Sequence, residues 1–331
     1  MGMKVQRMQN LLDPAILFFF LGAFAGALRS NLEIPPAISK FLSLYLLMAI
    51  GLKGGFALAQ SGLSTPVLHS IGAAMLMAVI VPILGYNLLK KWVSPLDAAA
   101  IAASYGSISA VTFIAAMQYL ENQHLPYSGH MVAAMVLMET PAIIMAVVLA
   151  NMLRKKPVAQ KNNPTEPTPG IRQILHESFT NGSHLLLLGS LLIGYASADA
   201  GKAMMQAFTV DIFKGLLAFF MLDMGLFVAK NAGKVRGNSA ILFVYATVAP
   251  LVHAGIALLL ARFIQMNAAD ACLLMVLSAS ASYIVVPAVV RYAIPEANAS
   301  LYFGLPIGIT FPFNIMVGIP LYSYAAQRVL G

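Results

Sequence analysis

The sequence predicts an all-α integral membrane protein of about ten transmembrane helices, arranged as two inverted repeats of five. Three observations support this prediction: the composition, the spacing of the apolar segments and an internal repeat. The chain has 331 residues, of which 60% are hydrophobic and 10% charged, and its mean hydropathy is +0.81. Because soluble domains carry about 25% charged residues, most of the outer surface of this protein must contact lipid.

Ten apolar segments are long enough to cross a bilayer, which takes roughly 17 to 25 residues of helix. They lie near residues 13–29, 36–58, 66–89, 96–120, 129–153, 183–199, 206–229, 238–262, 268–293 and 299–327. The first segment follows a basic N-terminus, but no clear small-x-small cleavage site is present. That segment is therefore interpreted as a span and not as a signal peptide.

A polar, proline-rich stretch at 154–182 separates the first five segments from the last five. Its composition is typical of a linker and not of a domain. We therefore expect a first five-helix repeat at 1–153, the linker at 154–182, and a second five-helix repeat at 183–331.

The two halves share a spaced pattern of residues. At an offset of 174, Ile38, Lys40, Gly51 and Leu52 recur as Ile212, Lys214, Gly225 and Leu226; at an offset of 173, Asp97, Ala98, Ser107, Ser109 and Tyr119 recur as Asp270, Ala271, Ser280, Ser282 and Tyr292. Two offsets that agree within one residue favour a duplicated unit. Because five is an odd number, the second copy enters the membrane from the opposite side, and the repeat is inverted.

The basic residues indicate the orientation in the membrane. The chain has 20 Lys and Arg against 12 Asp and Glu, a net charge of +8. In a membrane protein such an excess lies in cytoplasmic loops and does not indicate nucleic-acid binding. With the linker in the cytoplasm, twelve basic residues lie on its side of the membrane, five on the other and three within spans. The positive-inside rule therefore places both termini outside.

Spans four and nine contain matching runs of small hydroxyl residues, which predict broken helices. The runs are Ser104–Thr112 and Ser278–Tyr283, the second followed by Pro287. Glycine, proline and serine allow a membrane helix to unwind where protein surrounds it. Two half-helix N-termini that face each other form an anion site, because the helix dipoles and the freed N–H groups favour negative charge. The alternative is that both runs are tight helix-packing surfaces.

Two acidic residues, Glu139 and Asp223, lie far from the ends of apolar segments. A carboxylate inside a membrane protein is costly unless it binds a cation or a proton. Both residues are therefore candidates to bind a coupling ion, Na⁺ or H⁺. The alternative is structural hydrogen bonding, with the acid neutral or paired to Lys53 or Lys214. Asp97 and Asp270 begin their helices, where capping of the helix dipole explains them.

The sequence contains no sign of an enzyme or of a resident metal or cofactor. A single cysteine, Cys272, excludes a disulfide framework and a cysteine-based metal site. No pair of histidines has metal-ligand spacing within one helix. No Gly-x-Ser-x-Gly elbow, Walker loop or zincin motif is present, which argues against a primary pump or a membrane hydrolase.

Four runs of residues together resemble the sodium-dependent bicarbonate transporter family over nearly the whole chain. These runs are Gly51–Gly55, Gly106–Thr112, Glu139–Ala142 and Ile294–Asn298. The resemblance implies a homotrimeric permease of the bacterial inner membrane that imports bicarbonate with Na⁺ by an elevator-like movement. It also implies that a cytoplasmic PII-like regulatory protein docks on the permease.

The resemblance also implies which residues bind the small anion. The candidate substrate-binding residues at the two breaks are Gly106, Ser107, Ser109, Thr112, Ser280, Ser282 and Tyr283. The second break departs from the family pattern: Tyr283 stands where cyanobacterial members have aspartate, and Val285 and Val286 replace a serine and a glycine. These changes remove oxygen ligands that Na⁺ would take. Asp223 is hypothesised to supply a compensating carboxylate.

Coupling to a cation also has an energetic basis. Importing a monovalent anion against an inside-negative potential costs roughly 2.3 kcal/mol per 100 mV, and one Na⁺ or H⁺ carried with it cancels that cost. The alternatives are an Na⁺- or H⁺-coupled transporter of another small anion or carboxylate, a passive anion channel, and a non-transporting receptor or scaffold that presents the linker to a soluble partner.

Overall fold

The computed structural model describes residues 13–62, 64–153, 182–231, 240–283, 286–287, 290 and 294–331. These residues form helices and connecting loops, with no strand among them. Apart from residue 182, the predicted linker lies outside the described residues.

Eleven helices are described with both ends. They are α1 (Pro14–Ala27), α2 (Pro36–Ser61), α3 (Thr65–Leu89), α4 (Pro95–Gly106), α5 (Ala110–Asn122), α6 (His130–Leu153), α7 (Gly182–Met204), α8 (Ala207–Asn231), α9 (Ala240–Phe263), α10 (Ala268–Ala279) and α11 (Ala299–Leu330). Proline occupies the first turn of α1 to α4, where its missing N–H costs no helical hydrogen bond. Side-chain caps begin α1, α4, α10 and α11, supplied by Asp13, Ser94, Asn267 and Asn298.

Within the described residues, six helical segments are long and apolar enough to cross a membrane. They are Pro36–Gln60, Thr65–Leu89, Pro95–Asn122, Ala207–Asn231, Ala240–Phe263 and Ala299–Leu330. Three shorter apolar helical segments accompany them: Pro14–Ala27, His130–Glu139 and Ala268–Ala279. The predicted class, an all-α multi-pass membrane protein, agrees with this architecture. The count of ten spans stays a prediction.

Four helices form one packed group in which glycines allow the backbones to touch. Helix α1 packs on α8, and α2 packs on α7. A Cβ atom at Gly225 of α8 would overlap the carbonyl oxygen of Phe19 in α1, and one at Gly51 of α2 would lie 2.7 Å from the carbonyl oxygen of Leu187 in α7. Small residues at such crossings are typical of helix association in membranes.

The remaining helices form a second group around α4 and α10. Helix α3 packs on α4 and α6, and α9 packs on α10, which also contacts α11. Every residue of α10 from Ala269 to Ala279 is buried, so this helix lies inside protein and not against lipid. The wide π-helical turns 306–310 and 314–318 of α11 place Thr310 and Asn314 in the buried centre.

Candidate functional site

The first predicted break lies between α4 and α5. Helix α4 ends at Gly106, and the backbone is extended at Ser107 (φ −98°, ψ 178°) and at Ser109 (φ −108°, ψ 108°). Helix α5 then begins at Ala110, and the hydroxyl of Ser109 accepts a hydrogen bond from the Thr112 N–H at 3.2 Å. Ser109 is therefore the N-cap of the second half-helix.

The second break follows α10. The backbone is extended at Ser280 (φ −83°, ψ 169°), and residues 281–283 are not helical. The hydroxyl of Ser282 accepts from the Val286 N–H at 3.3 Å. Like Ser109, Ser282 thus accepts a hydrogen bond from a backbone N–H that follows its break, although from the fourth residue onward and not from the third.

The two breaks are hydrogen-bonded to each other. The Ser109 N–H donates to Oγ of Ser280 at 3.0 Å, and the Ser282 N–H donates to the carbonyl oxygen of Ser104 at 2.8 Å. A continuous helix would have used that carbonyl for the N–H of residue 108. The amide of Asn314 similarly donates to the carbonyl oxygen of Ala279 at 2.9 Å. Backbone groups that unwinding frees are therefore satisfied inside the protein.

A cavity of about 240 Å³ lies where the breaks face the first helix group. Ser109, Ser282 and Tyr283 line it from the breaks, Glu139 lines it from α6, and Lys40 lines it from α2. The remaining lining is almost entirely apolar, from Leu44 and Leu47 of α2, Leu187 of α7, Ile108, Ala110 and Val111 at the first break, and Met135 and Val136 of α6. Four candidate residues from three separate segments of the sequence therefore meet at one cavity.

Tyr283 forms a neutral wall of this cavity. The side chain is 4% exposed, and its ring packs on Phe311 with centroids 5.6 Å apart. Its hydroxyl lies beside the Ser109 side chain and 3.9 Å from Sδ of Met224. A phenol that can donate and accept hydrogen bonds therefore forms this part of the wall.

The other candidate residues of the breaks adjoin the cavity without lining it. The hydroxyls of Ser107 and Thr112 are buried and have no hydrogen-bond partner. Gly106 packs so closely on Pro82 of α3 that a Cβ atom there would lie 2.6 Å from the proline ring. The hydroxyl of Ser280 donates to the carbonyl oxygen of Leu277 at 3.0 Å besides accepting from Ser109.

The two candidate acids lie in different places. Glu139 is 5% exposed and lines the cavity. Asp223 of α8 is half-buried, interacts with Ser39 of α2, and is not one of the residues that line the cavity. Lys53, an alternative partner for both acids in the sequence, forms its ion pair with Glu121 at 3.0 Å.

Two acids have a role that capping alone does not describe. Asp270 at the start of α10 accepts from the backbone N–H of Ser128, just before α6, at 2.7 Å. Asp97 at the start of α4 accepts from the backbone N–H of Asn298, just before α11, also at 2.7 Å. Each acid thus ties the start of its own helix to the start of a helix in the other half of the chain. The offset of 173 between the two aspartates was the sequence feature that could have indicated this equivalent role.

Lys40 lines the cavity, although the sequence did not assign it to the site. Its recurrence as Lys214, also within an apolar segment, was the sequence feature that could have indicated a functional role. In the structure Lys40 is exposed and lines the same cavity as Glu139. The cavity therefore offers a cation and a carboxylate.

The electrostatics of the cavity suit both an anion and a hard cation. Ala110 and Val111, in the first turn of α5, line it, and the positive end of a helix together with Lys40 favours an anion. Carboxylate and hydroxyl oxygens favour a hard cation. Within the described part of the chain no three His, Cys, Asp or Glu residues group as transition-metal ligands do.

Comparison with known proteins yields one family match. The model of the Na⁺-dependent bicarbonate transporter superfamily matches residues 14–327. No curated protein sequence matches the chain. The family match covers nearly the whole chain, including both breaks, the cavity and its acidic residue, and the protein therefore belongs to the Na⁺-dependent bicarbonate transporter superfamily.

Proposed function

We propose that the protein is a secondary transporter that imports bicarbonate together with Na⁺ through the cavity between the two helix breaks. The observation that carries this proposal is the meeting of Ser109 and Ser282, one from each break, with Glu139 at one cavity. A site for an anion beside a site for a cation is what symport of bicarbonate and Na⁺ requires.

Bicarbonate would bind at the side of the cavity formed by the breaks. Its negative charge would face the first turn of α5 and Lys40, and its oxygens would accept hydrogen bonds from the hydroxyls of Ser109, Ser282 and Tyr283. The apolar lining would exclude water and so strengthen these interactions. Gly106 and Ser280 would position the breaks and would not contact the anion.

Na⁺ would bind beside Glu139. The hydroxyls of Ser107 and Thr112 are buried without partners, and oxygens of this kind suit a cation that prefers hard ligands. Asp223 is a second candidate, because Met224, the next residue along α8, approaches the hydroxyl of Tyr283. An imported cation would cancel the cost, roughly 2.3 kcal/mol per 100 mV, of moving the anion against an inside-negative potential.

Reciprocal contacts support two inverted repeats of five spans, at 1–153 and 183–331. The hydroxyls of Ser109 and Ser282 both accept a hydrogen bond from a backbone N–H that follows a break. Asp97 and Asp270 both hold the start of a helix in the other half. Such crosswise equivalence is what a pseudo-two-fold axis in the membrane plane produces.

An elevator-like movement would carry the breaks past the first helix group. In support, α2 lines two cavities at different heights: the small one through Lys40 to Leu47, and one of about 990 Å³ through Lys53 to Gln60. Sliding of the second helix group along α2 would connect the ion and anion sites to each cavity in turn.

The protein would reside in the bacterial inner membrane as a homotrimer, with both termini outside and the linker 154–182 in the cytoplasm. A PII-like regulatory protein is the proposed cytoplasmic partner.

Uptake of radiolabelled bicarbonate into proteoliposomes tests the transport function. With pH clamped, an inward Na⁺ gradient should drive accumulation above equilibrium, whereas an equal K⁺ gradient should not. Equilibration without accumulation would indicate a channel. Accumulation that follows a pH gradient and ignores Na⁺ would replace Na⁺ by H⁺, and folded protein that ignores bicarbonate would direct the search to small carboxylates.

A further inference from the structure

An apolar groove of about 480 Å³ runs between α3 and α9, away from the helix breaks. Its floor consists of buried residues: Gly85, Tyr245, Ala249 and His253. Its walls are exposed aliphatic side chains: Leu84, Leu88, Val244, Val248 and Val252. Because both helices are apolar and long enough to span a membrane, the groove opens toward lipid.

The groove has the length of one acyl chain. Along α9 it extends from Ile241 to His253, which at 1.5 Å per residue is about 18 Å. Half of a hydrocarbon core of about 30 Å is about 15 Å. The groove therefore matches the depth of one leaflet, starting from the membrane surface at which α3 ends and α9 begins.

One end of the groove is basic. Lys91 and Trp92, in the loop after α3, line that end, together with Asn87. None of the described residues that line the groove is acidic. Tryptophan prefers the level of the lipid headgroups, and a lysine there attracts anionic headgroups.

The neighbouring lysine is placed differently. Nζ of Lys90 donates to Oδ1 of Asn87 at 2.7 Å and lies 5.3 Å from the centroid of the Tyr86 ring. Lys90 does not line the groove. The two adjacent lysines thus have the same surface charge but different positions relative to the groove, and they form a matched pair.

We propose that this groove binds an anionic phospholipid, with one acyl chain lying between α3 and α9 and the phosphate paired with Lys91. The site is independent of the transported ions. It would hold one lipid against the surface of the second helix group, and that lipid would stay with these helices while others exchange.

The single tryptophan, Trp92, makes the site measurable by fluorescence quenching. The reporter variant carries Trp92→Phe and Val248→Trp, which places the only indole inside the groove. The matched control carries Trp92→Phe and Phe243→Trp, which places it on the exposed face of α9 outside the groove. Both are reconstituted in phosphatidylcholine vesicles that contain phosphatidylglycerol, with bromine on the acyl chains of one lipid or the other.

Quenching of the reporter should show that the groove binds phosphatidylglycerol about fivefold more strongly than phosphatidylcholine, which is the factor expected for one lysine near the surface. The control should show no preference. Lys91→Gln should abolish the preference at the reporter, and Lys90→Gln should retain most of it. Equal quenching by both lipids at the reporter, the same preference at the control, or equal losses for Lys90→Gln and Lys91→Gln would each overturn the proposal. In the otherwise unchanged protein, quenching of Trp92 compares the same two lipids at the headgroup end of the groove.

Discussion

The backbone N–H of Ser109 donates to the hydroxyl of Ser280 across 3.0 Å, which joins the two helix breaks of the protein. Both residues are buried, so water cannot replace either partner. The position of the first break, and therefore of the α5 N-terminus that faces the cavity, depends on a side chain of the second break. The two halves of the chain build one site and not two separate ones.

We predict that Ser280→Ala destabilises the protein by about 1–3 kcal/mol, because the buried Ser109 N–H loses its acceptor. Bicarbonate uptake should fall with it. Ser278→Ala is the matched control: Ser278 is equally buried, but its hydroxyl donates to the carbonyl oxygen of Leu274 at 2.8 Å within its own helix. Thermal unfolding in detergent and uptake in proteoliposomes measure both effects. Equal stability of the two variants would contradict the prediction.

Glu139→Gln should abolish Na⁺-dependent uptake while the protein still folds, since the amide keeps the size of the side chain and loses its charge. Asp223→Asn should have the same effect only if Asp223 supplies the missing carboxylate. The structure makes Glu139 the stronger candidate, because it lines the cavity and Asp223 does not. Uptake measured over a range of Na⁺ concentrations separates the two variants. An unchanged Na⁺ dependence in Glu139→Gln would remove Glu139 from the coupling site.

The positions of the breaks could be predicted from the sequence because their cause is local. A serine that follows a helix end can cap the next half-helix whatever surrounds it, as Ser109 does for α5. The offset of 173 between these two serines also indicates, from the residues alone, that the breaks occupy equivalent positions in the two halves.

The rotation of each helix could not be predicted, because the faces toward lipid and toward protein are both apolar in membrane helices. The placement of Asp223 shows this. Its distance from the ends of α8 made it a candidate for the ion site, but the sequence did not indicate that it would interact with Ser39 of α2. The meeting of Lys40 with Tyr283 at one cavity likewise depends on packing between segments that are far apart in sequence.

Gly225→Ala should be strongly destabilising, because its Cβ would overlap the backbone of α1 at Phe19 and would lie 2.6 Å from the backbone nitrogen of Ala23. Helices α1 and α8 would have to separate. Gly215→Ala on the same helix is the control, because no atom lies within 4 Å of the added Cβ. That control should be neutral or more stable by up to about 1 kcal/mol, since alanine favours helix. Thermal unfolding that ranks the two variants in the opposite order would refute the packing argument.

The phenol of Tyr127, in the loop before α6, should make stability fall at high pH. Burial and the neighbouring Glu121 carboxylate, which accepts its hydrogen bond at 2.7 Å, raise the pKa of Tyr127 well above 10. The folded state therefore keeps a proton that the unfolded state releases above pH of about 10. It follows that the free energy of unfolding decreases as pH rises beyond that point. Unfolding measured from pH 8 to 11 should show a smaller decrease in Tyr127→Phe, and an identical decrease would exclude this group.

A proline in α9 leaves one backbone carbonyl oxygen without its helical hydrogen bond, and Thr310 of α11 supplies a donor for it. Pro250 has no N–H for the carbonyl oxygen of Ala246, and the Thr310 hydroxyl donates to that oxygen at 2.7 Å. The same hydroxyl lies 2.6 Å from the Tyr105 hydroxyl of α4. One side chain therefore links three helices of the second group, and all four residues are buried.

Thr310→Val keeps the shape and removes the hydroxyl, so we predict a loss of about 1–3 kcal/mol for each buried group left without a partner. Thr310→Ser should retain most of the stability. A double-mutant cycle identifies the cause: Pro250→Ala restores an N–H for Ala246, so Thr310→Val should cost less in that background than in the original protein. Additive costs would show that the bond from Thr310 to Ala246 does not replace the missing N–H, because such a bond has to lose part of its value once the N–H returns.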